Sequence, residues 1–152
     1  MATGRVASIY IAAAAQAPTQ GVEQAKAVPG RGLEGDRYFL KQGTFFEPEP
    51  SFELTLIEAE ATEAAKRDYE LGLAAGEARR NIVTRDVALN HLVGKEFRVG
   101  EVRVRGIRLC EPCNHLQRLT GAPVIKSLRH RGGLRAQILS EGVIRVGDKV
   151  DC

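Results

Sequence analysis

The sequence predicts one mainly β domain, a closed or nearly closed β-barrel with a few short helices, and three observations predict it. Short apolar–polar alternations recur along the chain, as in "FELTLI", "VRVRGIRL" and "VIRVGDKV". Glycines punctuate these runs, 16 of them in 152 residues. One stretch, "EAEATEAAKRDYEL", is free of glycine and rich in helix formers. Many short strands with few helices bury their apolar faces by curling the sheet on itself, which also removes exposed edges. The length suits one ordinary core and is short for two, so a single domain over residues 1–152 is expected.

Residues 6–11 read as the first strand. The long segment that follows ends in "VPGRGLEGDRYF", where glycine and proline forbid a regular element. After a polar loop containing "EPEP", the alternation in "FELTLI" gives a strand that runs into the helical stretch, which a Glu63 to Arg67 pair at helical spacing would support. Gly72 and Gly76 end that helix. "RRNIVT" is a short strand led by two arginines, and "RDVALNHLVG" is turn-rich. "EFRV" and "VRVRGIRL" form a hairpin around Gly100-Glu101, with Gly106 marking a bulge in its second strand. "NHLQRLTG" has an asparagine cap and a closing glycine, which suits a short helix from Asn114. "LRAQIL" and "VIRVGDKV" supply the last strands.

Charge is unevenly spread. Residues 79–135 hold 13 Lys and Arg against four acids (Asp86, Glu96, Glu101, Glu111), whereas residues 1–78 hold seven against 12. A positive half favours an anionic ligand, either a phosphate-bearing cofactor or nucleic acid. Arg103, Arg105 and Arg108 alternate with apolar residues and read as the wet face of a strand. Aromatic residues are 5% of the chain, with no Trp and only Phe97 in the basic region, which leaves little for base stacking and makes nucleic acid an unlikely partner. The apolar run "VASIYIAAAAQAP" is shorter than a membrane span and has only Arg5 as an upstream cation, so neither membrane nor export is expected and the cytoplasm is.

The stretch "LCEPCNHLQ" holds two of the three cysteines. Its C-x-x-C spacing suits one corner of a structural zinc site through Cys110 and Cys113, with His115 near, but such a site usually needs a second knuckle, and Cys152, His91 and His130 are scattered. A redox dithiol fits loosely but lacks the βαβ context. The third reading is one activated thiolate. Cys113 sits just before the expected helix cap, where free N–H groups and the helix dipole stabilise a thiolate, while Cys110 continues the preceding strand and suits an inert buried position.

In combination, "VPGRGLEGDRYF", "LTLIEAEA", "ARRNIVTRDVALNHLVGKEFRVGEVRVRGIRLCEPCNHL" and "GGLRAQILSEGVIRVGDKV" resemble a stand-alone MOSC domain. That module is named for the C-terminal part of molybdenum cofactor sulfurases and also occurs in the mitochondrial amidoxime-reducing component. Pro112-Cys113 fits the position of the family's signature cysteine, and Arg79, Arg80 and Asn81 fit its Arg/Asn cluster; Cys110 is an addition. The resemblance implies a β-barrel and either binding of the molybdenum cofactor (molybdopterin) or carriage of sulfur. Cys113 would then be the metal ligand or the persulfide-carrying nucleophile. Arg79 and Arg80 would meet the phosphate or pterin and Asn81 the ring, with Arg135 as a further contact. Asp36, in "GLEGDR", would hold the pterin, pair with a nearby arginine, or simply cap a glycine turn. The implied reactions are reduction of N-hydroxylated substrates, as an oxidoreductase with an electron-transfer partner, and sulfurtransferase chemistry with a sulfur donor or acceptor protein. A small basic barrel that binds nucleic acid or a structural zinc is the alternative.

Overall fold

Alternation of buried valines with exposed arginines is the pattern of a strand with one face on a core, and the barrel is built from such strands. The structure, a computed structural model, describes residues 3–14, 17–37, 39, 53–69, 79–110 and 132–152. In order these form β1 (Thr3–Ile11), β2 (Gln20–Val22), β3 (Gln24–Val28), β4 (Gly32–Leu33), β5 (Leu54–Glu58), α1 (Ala59–Tyr69), β6 (Ile82–Arg85), β7 (Glu96–Val99), β8 (Val102–Leu109), β9 (Leu134–Ile138), β10 (Gly142–Arg145) and β11 (Lys149–Asp151). The order β11-β7-β8-β9-β5-β6-β1 closes through pairing of β11 with β1, giving a seven-strand barrel, and β2 hangs on β1 outside the ring. A smaller sheet, β10-β3-β4, supplies Ala25, Ala27, Leu33 and Ile144 to the same buried cluster as the barrel.

β1 serves three neighbours by shifting register. Thr3 to Arg5 pair with β11, Ile9 to Ile11 pair with β2, and β6 runs along it with a bulge between Val6 and Ser8. Bulges bend strands and raise twist, which a closed ring of short strands needs. The expected hairpin is present, with Glu96 opposite Arg105 and Val99 opposite Val102. Register also shifts between Gly106 and Arg108 where β8 meets β9, the bulge expected at Gly106. Strands β5 and β6 are parallel, and the chain passes between them through α1, as parallel neighbours require. Helix α1 buries Ala59, Ala61 and Ala65, and Ala61 packs with Ile57 and Val83.

One expectation is corrected and two are given detail. "VPGRGLEGDRYF" does carry regular structure, because Ala27 pairs with Leu33 and Val28 with Gly32 in a short hairpin whose turn uses the proline and glycines. The stretch "RDVALNHLVG" winds one 3-10 turn, Leu89–Leu92, that buries both leucines. Glu63 pairs with Arg85 on β6, which ties the helix to the sheet beneath it. The short helix expected from Asn114 lies outside the described residues.

Candidate functional site

The three residues that lead into β6 gather the site. Asn81 is buried, and its side-chain oxygen accepts from the Thr55 backbone N (3.2 Å) and Thr55 Oγ1 (3.1 Å). Its amide nitrogen donates to the Tyr10 carbonyl at 3.1 Å, and the Tyr10 N donates back to the Asn81 carbonyl at 2.7 Å. One asparagine thereby staples β1 and β5 to the start of β6. The two bonds with Thr55 are buried in the barrel wall, where water competes little for them.

Arg79 has a φ of 59°, left-handed for a residue with a side chain. Such a conformation costs about 1–3 kcal/mol and persists where surrounding contacts enforce it. Two contacts do so here: the Arg79 guanidinium donates to the Ala17 carbonyl, and the Arg79 carbonyl accepts from Arg37 Nη2 at 3.2 Å. Arg37 in turn donates through Nη1 to Asp36 Oδ1 at 3.2 Å, and that oxygen also accepts from Ala12 N at 3.0 Å. Asp36 is 0% and Arg37 6% exposed, an ion pair enclosed by protein. The turn expected at "GLEGDR" is also present, since Asp36 N donates to the Leu33 carbonyl at 3.0 Å.

Arg80 reaches elsewhere. Its Nε donates to the Gly132 carbonyl at 2.7 Å and its Nη2 to the Cys110 carbonyl at 3.0 Å. Arg135 sits on β9 opposite Thr55 of β5 and Arg108 of β8. Arg37 joins Asp36 to the Arg79 carbonyl, and Thr55 joins Asn81 to the strand that pairs with Arg135, and sequence reasoning singled out neither Arg37 nor Thr55. Arg37 could have been noticed as the neighbour of Asp36; Thr55 carried no signal beyond its place in an alternating strand.

Cys110 is 2% exposed, as expected for an inert packed thiol, while Cys113 lies outside the described residues. Cys152 is exposed, and desolvation followed by the Asp151 carboxylate pushes its thiol above the usual value, which makes it a poor thiolate. Among the described residues no three His, Cys, Asp or Glu side chains cluster to hold a metal. Arg103 and Arg105 are exposed and share Glu96, the wet strand face expected of them.

Glu53 borders this corner, and its Oε1 accepts from Gly30 N at 2.9 Å and Ile138 N at 3.2 Å. Burial raises its pKa above 4.5 despite those two bonds, which act in the opposite direction. The folded state thus holds the proton more tightly than the unfolded chain. Stability falls as pH rises through 4.5, and the loss is complete above the folded pKa. Glu53→Gln keeps an oxygen for both N–H groups and removes the ionisation. It should raise Tm by a few degrees over wild type at pH 7.5 and by less at pH 4, measured by thermal melts at both; an equal shift would show that the carboxylate charge has no cost.

Fold and site together define a small closed barrel with an arginine-rich polar corner. The family profile for the MOSC domain matches residues 47–151, which include Arg79, Arg80, Asn81, Cys113 and Arg135, and the chain belongs to the MOSC domain family, a molybdenum-cofactor-related group. The YuaD protein of Bacillus subtilis has a similar structure, with a TM-score of 0.80 at 14% identity over 97% of this chain and 94% of that one. YiiM from Geobacillus stearothermophilus (TM-score 0.75, 15% identity) aligns over 97% of this chain and 74% of its own. YiiM from Escherichia coli (0.68, 17%) aligns over 97% and 68%. At these identities the likeness is one of fold. No curated protein matches the chain by sequence. Among the described residues no helix is long and apolar enough to cross a membrane.

Proposed function

We propose that the chain binds a molybdenum pyranopterin cofactor at the arginine corner, with Cys113 as the protein ligand to the metal. The observation that carries this reading is the enclosed Asp36–Arg37 pair leading to the left-handed Arg79, whose neighbour Arg80 bonds the Cys110 and Gly132 carbonyls on either side of the segment that bears Cys113. The donor set fits the group: guanidinium groups suit a phosphate, and a thiolate suits a soft metal. When bound, the cofactor would supply redox chemistry at molybdenum, with N-hydroxylated compounds as the substrate class and an electron-transfer protein as the source of reducing equivalents. Arg79 would contact the anionic end. Asp36 is enclosed, so its part is to hold Arg37 in place, while Asn81 fixes the start of β6 two residues after Arg79 and Arg135 stands on β9, on the other side of β5. Phe97, the aromatic of the basic region, is 4% exposed and offers no stacking platform, which disfavours nucleic acid.

The test is elemental analysis of protein loaded with molybdenum cofactor. About one molybdenum per chain is expected, with zinc substoichiometric after chelation. Arg79→Ala should weaken retention roughly 10- to 100-fold, the scale of one or two charge-assisted hydrogen bonds. Stoichiometric zinc would replace this reading with a structural metal site. A persulfide on Cys113 after treatment with a sulfur donor, without molybdenum retention, would replace it with sulfur carriage.

A further inference from the structure

We propose that Arg37 is a positioning residue for Arg79: by gripping the Arg79 carbonyl it holds that residue left-handed, and so decides where the Arg79 guanidinium stands. The proposal rests on the reading of Arg79 as the contact to an anion. Of the three consecutive residues Arg79, Arg80 and Asn81, the last two are buried and Arg79 is half-buried. Arg80 donates to the Gly132 and Cys110 carbonyls and Asn81 bonds Tyr10 and Thr55, so the chain after Arg79 is fixed by the barrel. What remains to be set is the backbone of residue 79 itself. Its φ of 59° is disfavoured for any side chain, because Cβ crowds the carbonyl oxygen that follows, and such a conformation persists only where outside contacts enforce it.

Arg37 supplies such a contact from a firm base. Its Nη1 and Nη2 reach different acceptors, Asp36 Oδ1 and the Arg79 carbonyl, each at 3.2 Å. A planar guanidinium holds two acceptors in a fixed relation, which a single ammonium does not. Asp36 is held in turn, since its Oδ1 accepts from Ala12 N at 3.0 Å just past the end of β1 and its own N donates to the Leu33 carbonyl of β4 at 3.0 Å. Gly35, with φ +88°, lets this turn pass so close to β1 that a Cβ there would lie 3.3 Å from Ile11 Cδ1. The pair is enclosed, at 0% and 6% exposure, so it presents little charge to a ligand and its effect on one must pass through Arg79. A change to right-handed or extended backbone at residue 79 would swing its carbonyl off Arg37 Nη2 and redirect its Cα–Cβ bond. The Arg37 bond opposes that change.

Arg37→Lys, and Asp36→Asn combined with Arg37→Met, test this. Lysine keeps the charge and loses the fork, and the double variant removes both charges together, because losing one member alone strands the other in the interior. The first readout is the nuclear Overhauser effect between the Arg79 amide proton and its own Hα in isotope-labelled, cofactor-free protein, which is strong only where φ is positive. It is expected to be strong in wild type and to weaken in both variants, with the Asn81 amide unshifted. The second readout is molybdenum retention by cofactor-loaded protein in a double-mutant cycle. Arg37→Lys should lower retention roughly fivefold or more in the wild-type background and less than about twofold beside Arg79→Ala, since a residue that acts through Arg79 then has nothing to act on. An unchanged Arg79 signal in a folded variant overturns the proposal. Equal losses in the two backgrounds also overturn it and make Arg37 a direct ligand contact. If wild-type protein retains no molybdenum, the cofactor reading falls and the Arg79 signal alone decides whether Arg37 sets the backbone there.

Discussion

Cys113→Ser is expected to abolish molybdenum retention while the barrel stays folded. Serine is close in size to cysteine but carries a hard oxygen with a pKa far above neutrality, so it neither binds a soft metal as a thiolate does nor carries sulfur. Cys110→Ser should do the reverse. Its side chain is 2% exposed, so a hydroxyl there is buried in place of a weakly polar thiol and costs about 1–3 kcal/mol, whereas most retention survives. Denaturant melts and molybdenum content of both variants make the comparison, with iodoacetamide alkylation against pH to rank the two thiols. Should Cys110 prove the more acidic thiol, or should both variants lose the metal equally, a dithiol or shared metal site is the correct description.

Gly133→Ala is expected to be the most damaging alanine substitution near the site, at roughly 4 kcal/mol or more, a large share of the stability of a small domain. Two costs add. Gly133 has φ +115°, which side chains rarely adopt, and the new methyl would lie 2.1 Å from the Leu56 carbonyl. That oxygen belongs to β5, held on one side by β6 and on the other by β9, so it cannot retreat without opening a ladder. Gly147 is the matched control: its φ is +94° and a Cβ would meet nothing within 4 Å, so Gly147→Ala should show backbone strain alone, about 1–2 kcal/mol. Urea midpoints of the two variants measure the difference. Equal losses would mean that strain, not the contact with β5, limits position 133.

The barrel was legible because its strands are amphipathic: the alternation in β8, the hairpin with β7 and the bulge at Gly106 all follow from local pattern. The burial of Cys110 was legible for the same reason. β2, β3 and β4 were not, since runs of two to five residues carry little periodicity, and β3 exists through a partner far along the chain, with Gln24 opposite Arg145. Glu63 found Arg85 across the parallel β5–α1–β6 crossover, a partner that helical spacing cannot name. In the site, residue types were readable but their acceptors were not. Arg80 bonds backbone carbonyls of residues 110 and 132, and a carbonyl has no sequence signature. The family resemblance placed Arg79, Arg80 and Asn81 in one cluster, and the geometry divides that cluster by direction: Arg79 toward Ala17, Asn81 toward Tyr10 and Thr55, Arg80 toward β8 and β9.

Closure of the ring between β1 and β11 also sets the order of assembly. Thr3 pairs with Asp151 and Arg5 with Lys149, so β1 waits for a strand made more than a hundred residues later. Until then both lips of the sheet are open, with unpaired N–H and C=O groups on β1 and β7 available to other nascent chains. Contacts this distant in sequence slow folding, because loop entropy must be lost before they form. Completion of this domain is therefore a late, nearly all-or-none event, and its exposure to misassembly is greatest just before the three residues of β11 arrive.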